Sequence, residues 1–204
     1  MPNQWTRDAT LPANRADVPM ATIRTGNRSA LLVVDVQVGV VAAAHDIARQ
    51  LDAITLAVRK ARDAGVPVIW VQHDDEELPR GSAEWQWVPA LQPQVDDIRV
   101  YKQHNSSFEQ TTLEAELAVR GVSHLVLCGA VTGWCIRATA YTALERGYDL
   151  TLIGDGHIAK RLDTGEGTVV DADSIVREFN AVLPWLSYPG RQNRVVRAAE
   201  IGFH

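Results

Sequence analysis

Three observations on the sequence predict an α/β fold, a mostly parallel sheet sandwiched between two layers of helices. Short apolar runs recur along the chain, and they alternate with stretches of helical period. The runs are also continuous rather than alternating in polarity, as in strands covered on both faces. Right-handed crossovers follow from such a winding, and ligands are then expected beyond the carboxyl ends of the strands, where the strand order reverses.

The elements follow in order. Residues 1–28 are rich in Pro, Asn, Thr and Arg without a sustained period and read as an irregular arm preceding a single domain over 29–204. ALLVVDVQ (30–37) is the first buried strand. In the helix over 45–65, Ile47, Leu51, Ile54, Val58 and Ala61 recur at spacings of three and four, and Gly65 closes it. VPVIWVQH (66–73) and DIRVYKQ (97–103) are the second and third strands. A helix over 111–121 is expected to start with a capping box between Thr111 and Glu114 and to stop at Gly121. HLVLCGA (124–130) is the fourth strand and leads directly into a helix over 134–146. DLTLIGD (149–155) is the fifth strand. Over 171–186, Ile175, Val176, Phe179, Val182 and Leu183 share one helical face, and NRVVRA (193–198) offers a last short strand.

The totals bound the function. A chain of 204 residues with 46% hydrophobic and 22% charged residues has ordinary globular composition. A net charge of −5 and a pI near 5.7 give no basic face for nucleic acid or an anionic membrane. No apolar run approaches the ~20 residues of a membrane span, and the first residues lack the apolar stretch of a signal peptide. Two cysteines make no disulfide framework. The expectation is a soluble cytoplasmic protein.

The strand-end rule selects the residues to inspect. The first strand ends at Asp35 with Gln37 just beyond, the second at His73, the third at Lys102, the fourth in GAVTGWC (129–135) and the fifth at Asp155. An acid, a lysine and a cysteine thus converge on one sheet edge. Their chemistry is complementary, because the thiolate is the nucleophilic form of a thiol. Cys135 lies in the first turn of its helix, whose unpaired N–H groups favour an anion. Lys102 would add to that, Asp35 could take the thiol proton and later return it, and backbone N–H groups before Cys135 could hold an oxyanion. Each residue alone has a plainer reading: a strand-end acid caps loops, a lysine is solvated, a free cysteine packs as a small hydrophobe. That last reading is adopted for Cys128. The functional case rests on convergence.

The segments ALLVVDVQ, VYKQHNSSF and LVLCGAVTGWCIRATAYTALERGYDLTLIGDGH resemble the isochorismatase-like cysteine hydrolases, a superfamily that includes nicotinamidases and N-carbamoylsarcosine amidases. The likeness spans about residues 29–186 and is sharpest in the Gly-x-x-Thr-x-x-Cys loop. It implies a three-layer αβα sandwich with a six-stranded parallel sheet and Rossmann-type winding. It implies a catalytic triad of Asp35, Lys102 and Cys135, and a cis peptide at Ala130–Val131 that turns the N–H of Val131 toward the oxyanion beside that of Cys135. Thr132 and Gly133 would shape the turn, and homo-oligomers, dimers or tetramers, are expected.

Two departures narrow the reaction. Nicotinamidases carry an Asp-x-His metal motif after the second strand, whereas this chain has VQHDDEELPRGSAEW, so no metal and no other cofactor are expected, with ordinary hydrogen bonding preferred for His73, Asp74 and Asp75. Isochorismatases that cleave a vinyl ether lack the nucleophilic cysteine, which this chain keeps. The expected reaction is hydrolysis of a small amide, ureido or carbamoyl C–N bond through a thioester. A vinyl-ether hydrolase, with Lys102 and Arg137 holding carboxylates, and a non-catalytic scaffold remain as alternatives. Gln37, His73, Phe108 and Trp134 are expected pocket walls for a small planar or apolar substrate. Trp85 and Trp87 sit in a loop that reaches over the site or packs in a subunit interface, and Asp155 is expected to tie down loop amides.

Overall fold

The computed structural model describes residues 23–44 and 46–203. All but six residues of the expected arm therefore lie outside the described residues. Six strands form one sheet in the order β3-β2-β1-β4-β5-β8, every neighbouring pair parallel: β1 (Arg28–Val34), β2 (Val68–His73), β3 (Ile98–Lys102), β4 (Val122–Ala130), β5 (Asp149–Ile158) and β8 (Asn193–Val196). The chain winds outward from β1 through β2 to β3, then returns to β4 on the other side of β1. The strand order thus reverses between β1 and β4, and the crevice beyond their carboxyl ends is where such sheets bind ligands.

The side-chain period of two explains the layers. Leu31 and Val33 of β1 face one side, where Ile54, Ala57, Val58 and Ala61 of helix α2 (Ala48–Asp63) cover them. Ala30, Leu32 and Val34 face the other side, toward α3 (Leu113–Ala118), α4 (Arg137–Glu145) and α5 (Ala172–Val182). All five β1 residues are fully buried, which accounts for the unbroken apolar run in the sequence. A short helix α1 (Val38–Val41) follows β1. Lys60 of α2 donates to the carbonyls of Ala198, Ala199 and Ile201 at 3.2, 2.7 and 2.8 Å, fastening the C-terminal segment.

Three details differ from the sequence expectation. The capping box does not form. Thr112 is the N-cap of α3 and makes no side-chain cap bond, Thr111 Oγ1 donates to the Ser107 carbonyl at 2.6 Å, and Glu114 is taken by Arg24 and Arg146. An ion-pair partner for the glutamate outcompetes the local reciprocal bond. An antiparallel hairpin of β6 (Leu162–Gly165) and β7 (Thr168–Val170) occupies a stretch not read as strand. Its turn carries Glu166 and Gly167 at φ 53° and 76°, the two left-handed residues of a tight hairpin turn. On α5 only Phe179 is buried, while Ile175 and Val176 of the expected apolar face are half-exposed.

Candidate active site

Three strand ends supply the site. β1 ends at Val34, and Asp35 follows in a left-handed conformation (φ 51°), which aspartate tolerates better than most residues. β3 ends at Lys102. β4 ends at Ala130, the Ala130–Val131 peptide is cis, and Thr132–Ile136 then forms a π-helical turn that carries Cys135 into α4. The Val131 carbonyl accepts from the N–H groups of Trp134 and Ile136 at 3.0 and 3.2 Å. Gly129 lets β4 approach β1 closely. A Cβ built there would lie 2.1 Å from the Val34 carbonyl oxygen, and its φ of 124° suits glycine alone.

These elements bring Asp35, Lys102 and Cys135 together. Lys102 Nζ lies 2.7 Å from Asp35 Oδ2 and donates to Cys135 Sγ at 3.3 Å and to the His104 carbonyl at 3.1 Å. Both charged side chains are buried. Burial raises the Asp35 carboxyl pKa, and the neighbouring ammonium only partly offsets this. Burial works against the Lys102 ammonium, yet the charges of Asp35 and Cys135 outweigh it and raise its pKa. The Cys135 thiol is pushed up to about 12, first by burial and then by the Asp35 carboxylate. The resting site therefore holds a carboxylate–ammonium pair beside a neutral thiol, rather than the pre-formed thiolate that the helix dipole alone suggests. Cys128, fully buried in β4 with its thiol aimed at the Leu32 carbonyl, has its pKa raised by burial alone.

The expected pocket walls separate. His73 stays beside the cluster, its Nδ1 3.4 Å from Lys102 Nζ and its Nε2 2.9 Å from Asp75 Oδ2. Gln37 is instead a strut. It is fully buried, donates to the carbonyls of His73 and Trp85 at 2.9 and 3.0 Å, and accepts from the His73 N–H at 2.9 Å. Its whole amide is thus engaged in holding the end of β2. Phe108 belongs to the core: it is 4% exposed, with its ring 5.7 Å from that of Tyr148. Trp87 packs edge-on against Trp70 at 5.1 Å, and Trp85 stacks on Tyr101 at 6.1 Å, so both loop tryptophans find partners within the chain. Asp155 accepts from the Ala198 N–H at 2.8 Å, the loop tie expected of it.

Trp134 remains open to solvent at 47% and lines a cleft of about 510 Å³ with Val131, Gly133, Leu162, Val170 and Ile175. The cleft meets the nucleophile turn at Val131 and Gly133 and does not itself touch Asp35, Lys102 or Cys135. Among the described residues no three His, Cys, Asp or Glu side chains gather to hold a metal. His73 and Asp75 bind each other, while Asp74 is taken by Arg80 and Gln103. No helix among the described residues is long and apolar enough to cross a membrane.

Two features went unassigned in the sequence. The His104 carbonyl helps seat Lys102, and no pattern signals a backbone acceptor. His157 lies next to the nucleophile turn; it stands in plain view in the GDGH stretch, but its role depends on a strand irregularity.

Comparison with known proteins adds the family context. The Isochorismatase domain family matches residues 29–172. A streptothricin hydrolase of Streptomyces noursei is 36% identical over 135 residues, covering 63% of this chain and 49% of that protein. The chain thus spans about half the length of the streptothricin hydrolases it matches. The ureidoacrylate amidohydrolase RutB of Klebsiella pneumoniae is 29% identical over 187 residues, covering 71% of this chain and 76% of that protein. A crystal structure of a cysteine hydrolase from Pseudomonas syringae pv. phaseolicola superposes with a TM-score of 0.78 over 90% of this chain and 95% of that one. At 24% identity it speaks to the fold alone.

Proposed function

Because the chain belongs to the isochorismatase family, we propose that it is a cysteine-dependent hydrolase of a small amide, ureido or carbamoyl C–N bond. One observation carries the reading: Lys102 Nζ sits within 2.7 Å of Asp35 and 3.3 Å of Cys135 in a buried site. Relatives named for amide hydrolysis support the bond type.

The charge balance of this cluster decides how the thiol is activated. Removing the Cys135 proton to solvent would leave two buried anions beside one cation, which is why its pKa is so high. Passing the proton to Asp35 instead leaves one anion and one cation, as before. The ammonium faces both acceptors, so the buried negative charge is exchanged between partners rather than increased. Asp35 thus acts as the base within the site.

The cycle follows. Asp35 takes the proton from Cys135 Sγ as the sulfur attacks the substrate carbonyl carbon. The C–S bond forms and the carbonyl electron pair moves to oxygen, where the N–H groups of Val131 and Cys135 receive it. When the C=O bond re-forms, the C–N bond breaks and the departing nitrogen takes the proton from Asp35. Water, deprotonated by Asp35, then attacks the thioester. The second tetrahedral species expels Cys135 sulfur, which regains its proton from Asp35. His73 borders this space, and the cleft beside Trp134 seats the non-reacting part of the substrate. No metal or cofactor enters the scheme, and the chain acts on a small molecule, as a cytoplasmic homo-oligomer, without nucleic acid or membrane. Vinyl-ether hydrolysis has no use for a half-buried thiol held between an ammonium and a carboxylate.

The test is ammonia release from a panel of small amides, ureides and carbamoyl compounds, with wild type and Cys135→Ala, with and without a chelator. Release that Cys135→Ala abolishes and the chelator spares is expected. Release that survives Cys135→Ala would overturn the nucleophile, and loss on chelation would overturn the metal-free scheme.

A further inference from the structure

His157 is fully buried at the end of β5, and a strand irregularity puts it there. Leu127 pairs with Leu152, but Gly129 pairs with His157, so two steps along β4 answer to five along β5. A bulge of this kind re-aims the residue after it. Here it sets His157 beside the first residue of the π-helical turn.

The hydrogen bonds around the imidazole run in one direction. Asn180 of α5 donates Nδ2–H to the Gly154 carbonyl at 2.9 Å, which turns its Oδ1 toward His157 Nε2, also at 2.9 Å. An amide oxygen only accepts, so Nε2 carries the hydrogen. Burial holds the imidazole neutral, its pKa pushed down to about 4. Nδ1 of a neutral ring with hydrogen on Nε2 is an acceptor, and the hydroxyl 2.9 Å from it, Thr132 Oγ1, is the donor. Thr132 is itself fully buried and lies between Val131 and the rest of the turn that carries Cys135.

We propose that His157 is a positioning residue for acyl transfer at Cys135: held in one tautomer by Asn180, it fixes the Thr132 hydroxyl and, through it, the backbone N–H groups that receive the oxyanion. The inference rests on Cys135 being the nucleophile. It assigns His157 no proton transfer and no contact with substrate. Its work is to keep the turn from rotating, so that the N–H of Val131 and that of Cys135 point to one place before the charge develops.

Two reagents that share the nucleophile but not the oxyanion separate this role. In alkylation by iodoacetamide, Cys135 sulfur displaces iodide at a saturated carbon, and no oxyanion forms. With p-nitrophenyl acetate the same sulfur adds to a carbonyl, the C–S bond forms, the C–O bond breaks and p-nitrophenolate leaves. The initial burst of nitrophenolate and the rate of iodoacetamide adduct formation are measured, with adducts mapped to Cys135 by mass spectrometry. Thr132→Val keeps the shape and removes the donor, Thr132→Ser restores it, and His157→Leu removes the acceptor. Losing a direct oxyanion donor costs ~10²–10³ in rate, so losing its support is expected to slow acylation about tenfold. Alkylation should stay within about twofold, and Thr132→Ser should recover most of the acylation. An unchanged ratio of the two rates in Thr132→Val and His157→Leu overturns the relay and leaves the nucleophile standing. So does a parallel fall of both rates in both variants, which is what a collapsed site gives. A wild type alkylated but not acylated at Cys135 also counts against the relay. If neither reagent modifies Cys135, the nucleophile reading fails and the relay fails with it.

Discussion

The Lys102 ammonium lies 2.7 Å from an Asp35 carboxylate oxygen with both side chains buried, and neither carboxylate oxygen accepts a well-aligned hydrogen bond from the described residues. Asp35 is therefore paired by charge but under-satisfied as an acceptor, and its burial, only partly offset by the Lys102 ammonium, keeps it basic. Removing one partner of a buried ion pair typically costs ~3–5 kcal/mol, because the other is left uncompensated. Lys102→Met is expected to destabilise the fold by about that amount and to abolish amide hydrolysis. The double variant Asp35→Asn/Lys102→Met should recover much of the stability and none of the activity. Urea unfolding of the single and double variants, alongside the ammonia assay, separates the two effects. Equal stability of Lys102→Met and wild type would show that the pair is not buried as described.

The proton balance among Asp35, Lys102 and Cys135 shapes the pH profile of Cys135 alkylation. An ordinary thiol gains reactivity about tenfold per pH unit up to its pKa. Here the reactive form is the one in which Asp35 holds the thiol's proton, and its population stays constant between the raised Asp35 pKa and the Cys135 pKa of about 12. The alkylation rate should be flat through the mildly alkaline range and fall in acid as the Asp35–Cys135 pair takes up a second proton, which leaves the thiol without its base. In Asp35→Asn the plateau should vanish and the rate should rise with pH instead. A wild-type rate that climbs tenfold per unit from neutrality would remove Asp35 as the base.

Much of this was legible in the sequence, for physical reasons. Strands buried on both faces announce themselves as apolar runs, which place β1, β2, β4 and β5 within a few residues, and the ends of β1, β3 and β4 point to Asp35, Lys102 and Cys135. What escaped notice depends on competition between distant groups. Glu114 abandons its local cap for two arginines. Gln37, which looks like a pocket wall from its position after Asp35, is consumed by the backbone at the end of β2. The β6–β7 hairpin is too short and polar to give a period, and its one signal is the Gly-Glu-Gly turn. The place of His157 is set by a register shift that no local pattern encodes.

His157 also gives the fold an acid sensitivity whose sign can be worked out. Its folded pKa of about 4 lies below the unfolded value of 6.5, so the unfolded chain binds a proton first as pH falls. The contribution is fully present above pH ~6.5 and is lost between there and pH ~4, on the order of 3 kcal/mol in all. Unfolding free energies of wild type and His157→Leu across this window should converge toward its acid end. Parallel curves would show that the imidazole does not titrate with the fold.

Gly129 is expected to tolerate no side chain. At φ 124° alanine is strained, and its methyl would meet the Val34 carbonyl oxygen at 2.1 Å and the Val34 nitrogen at 2.6 Å. Strain and the forced separation of β4 from β1 are together expected to cost ~2–4 kcal/mol. Because β1 carries Asp35 and β4 leads to Cys135, the same widening should slow Cys135 alkylation in the protein that still folds. Urea unfolding and alkylation of Gly129→Ala measure both. Full stability with normal alkylation would mean that the two strands can part without cost to the site.

Lys160 stands at the rim of the Trp134 cleft, half-buried, with no ion pair or hydrogen bond among the described residues. The other cation there, Arg137, is already paired with Glu178. An unpaired ammonium over walls formed by Trp134, Leu162, Val170 and Ile175 suits a substrate whose non-reacting end is planar or apolar and terminates in a carboxylate. An interaction with the non-reacting end of the substrate is made equally in the ground and transition states, so its loss raises KM and spares kcat. For Lys160→Glu, KM for amides bearing a carboxylate should rise about tenfold or more, kcat should change by less than about twofold, and neutral amides of the same size should be indifferent. A rise in KM that is the same for charged and neutral amides would place the carboxylate elsewhere, and a fall in kcat alone would tie Lys160 to the chemistry rather than to recognition.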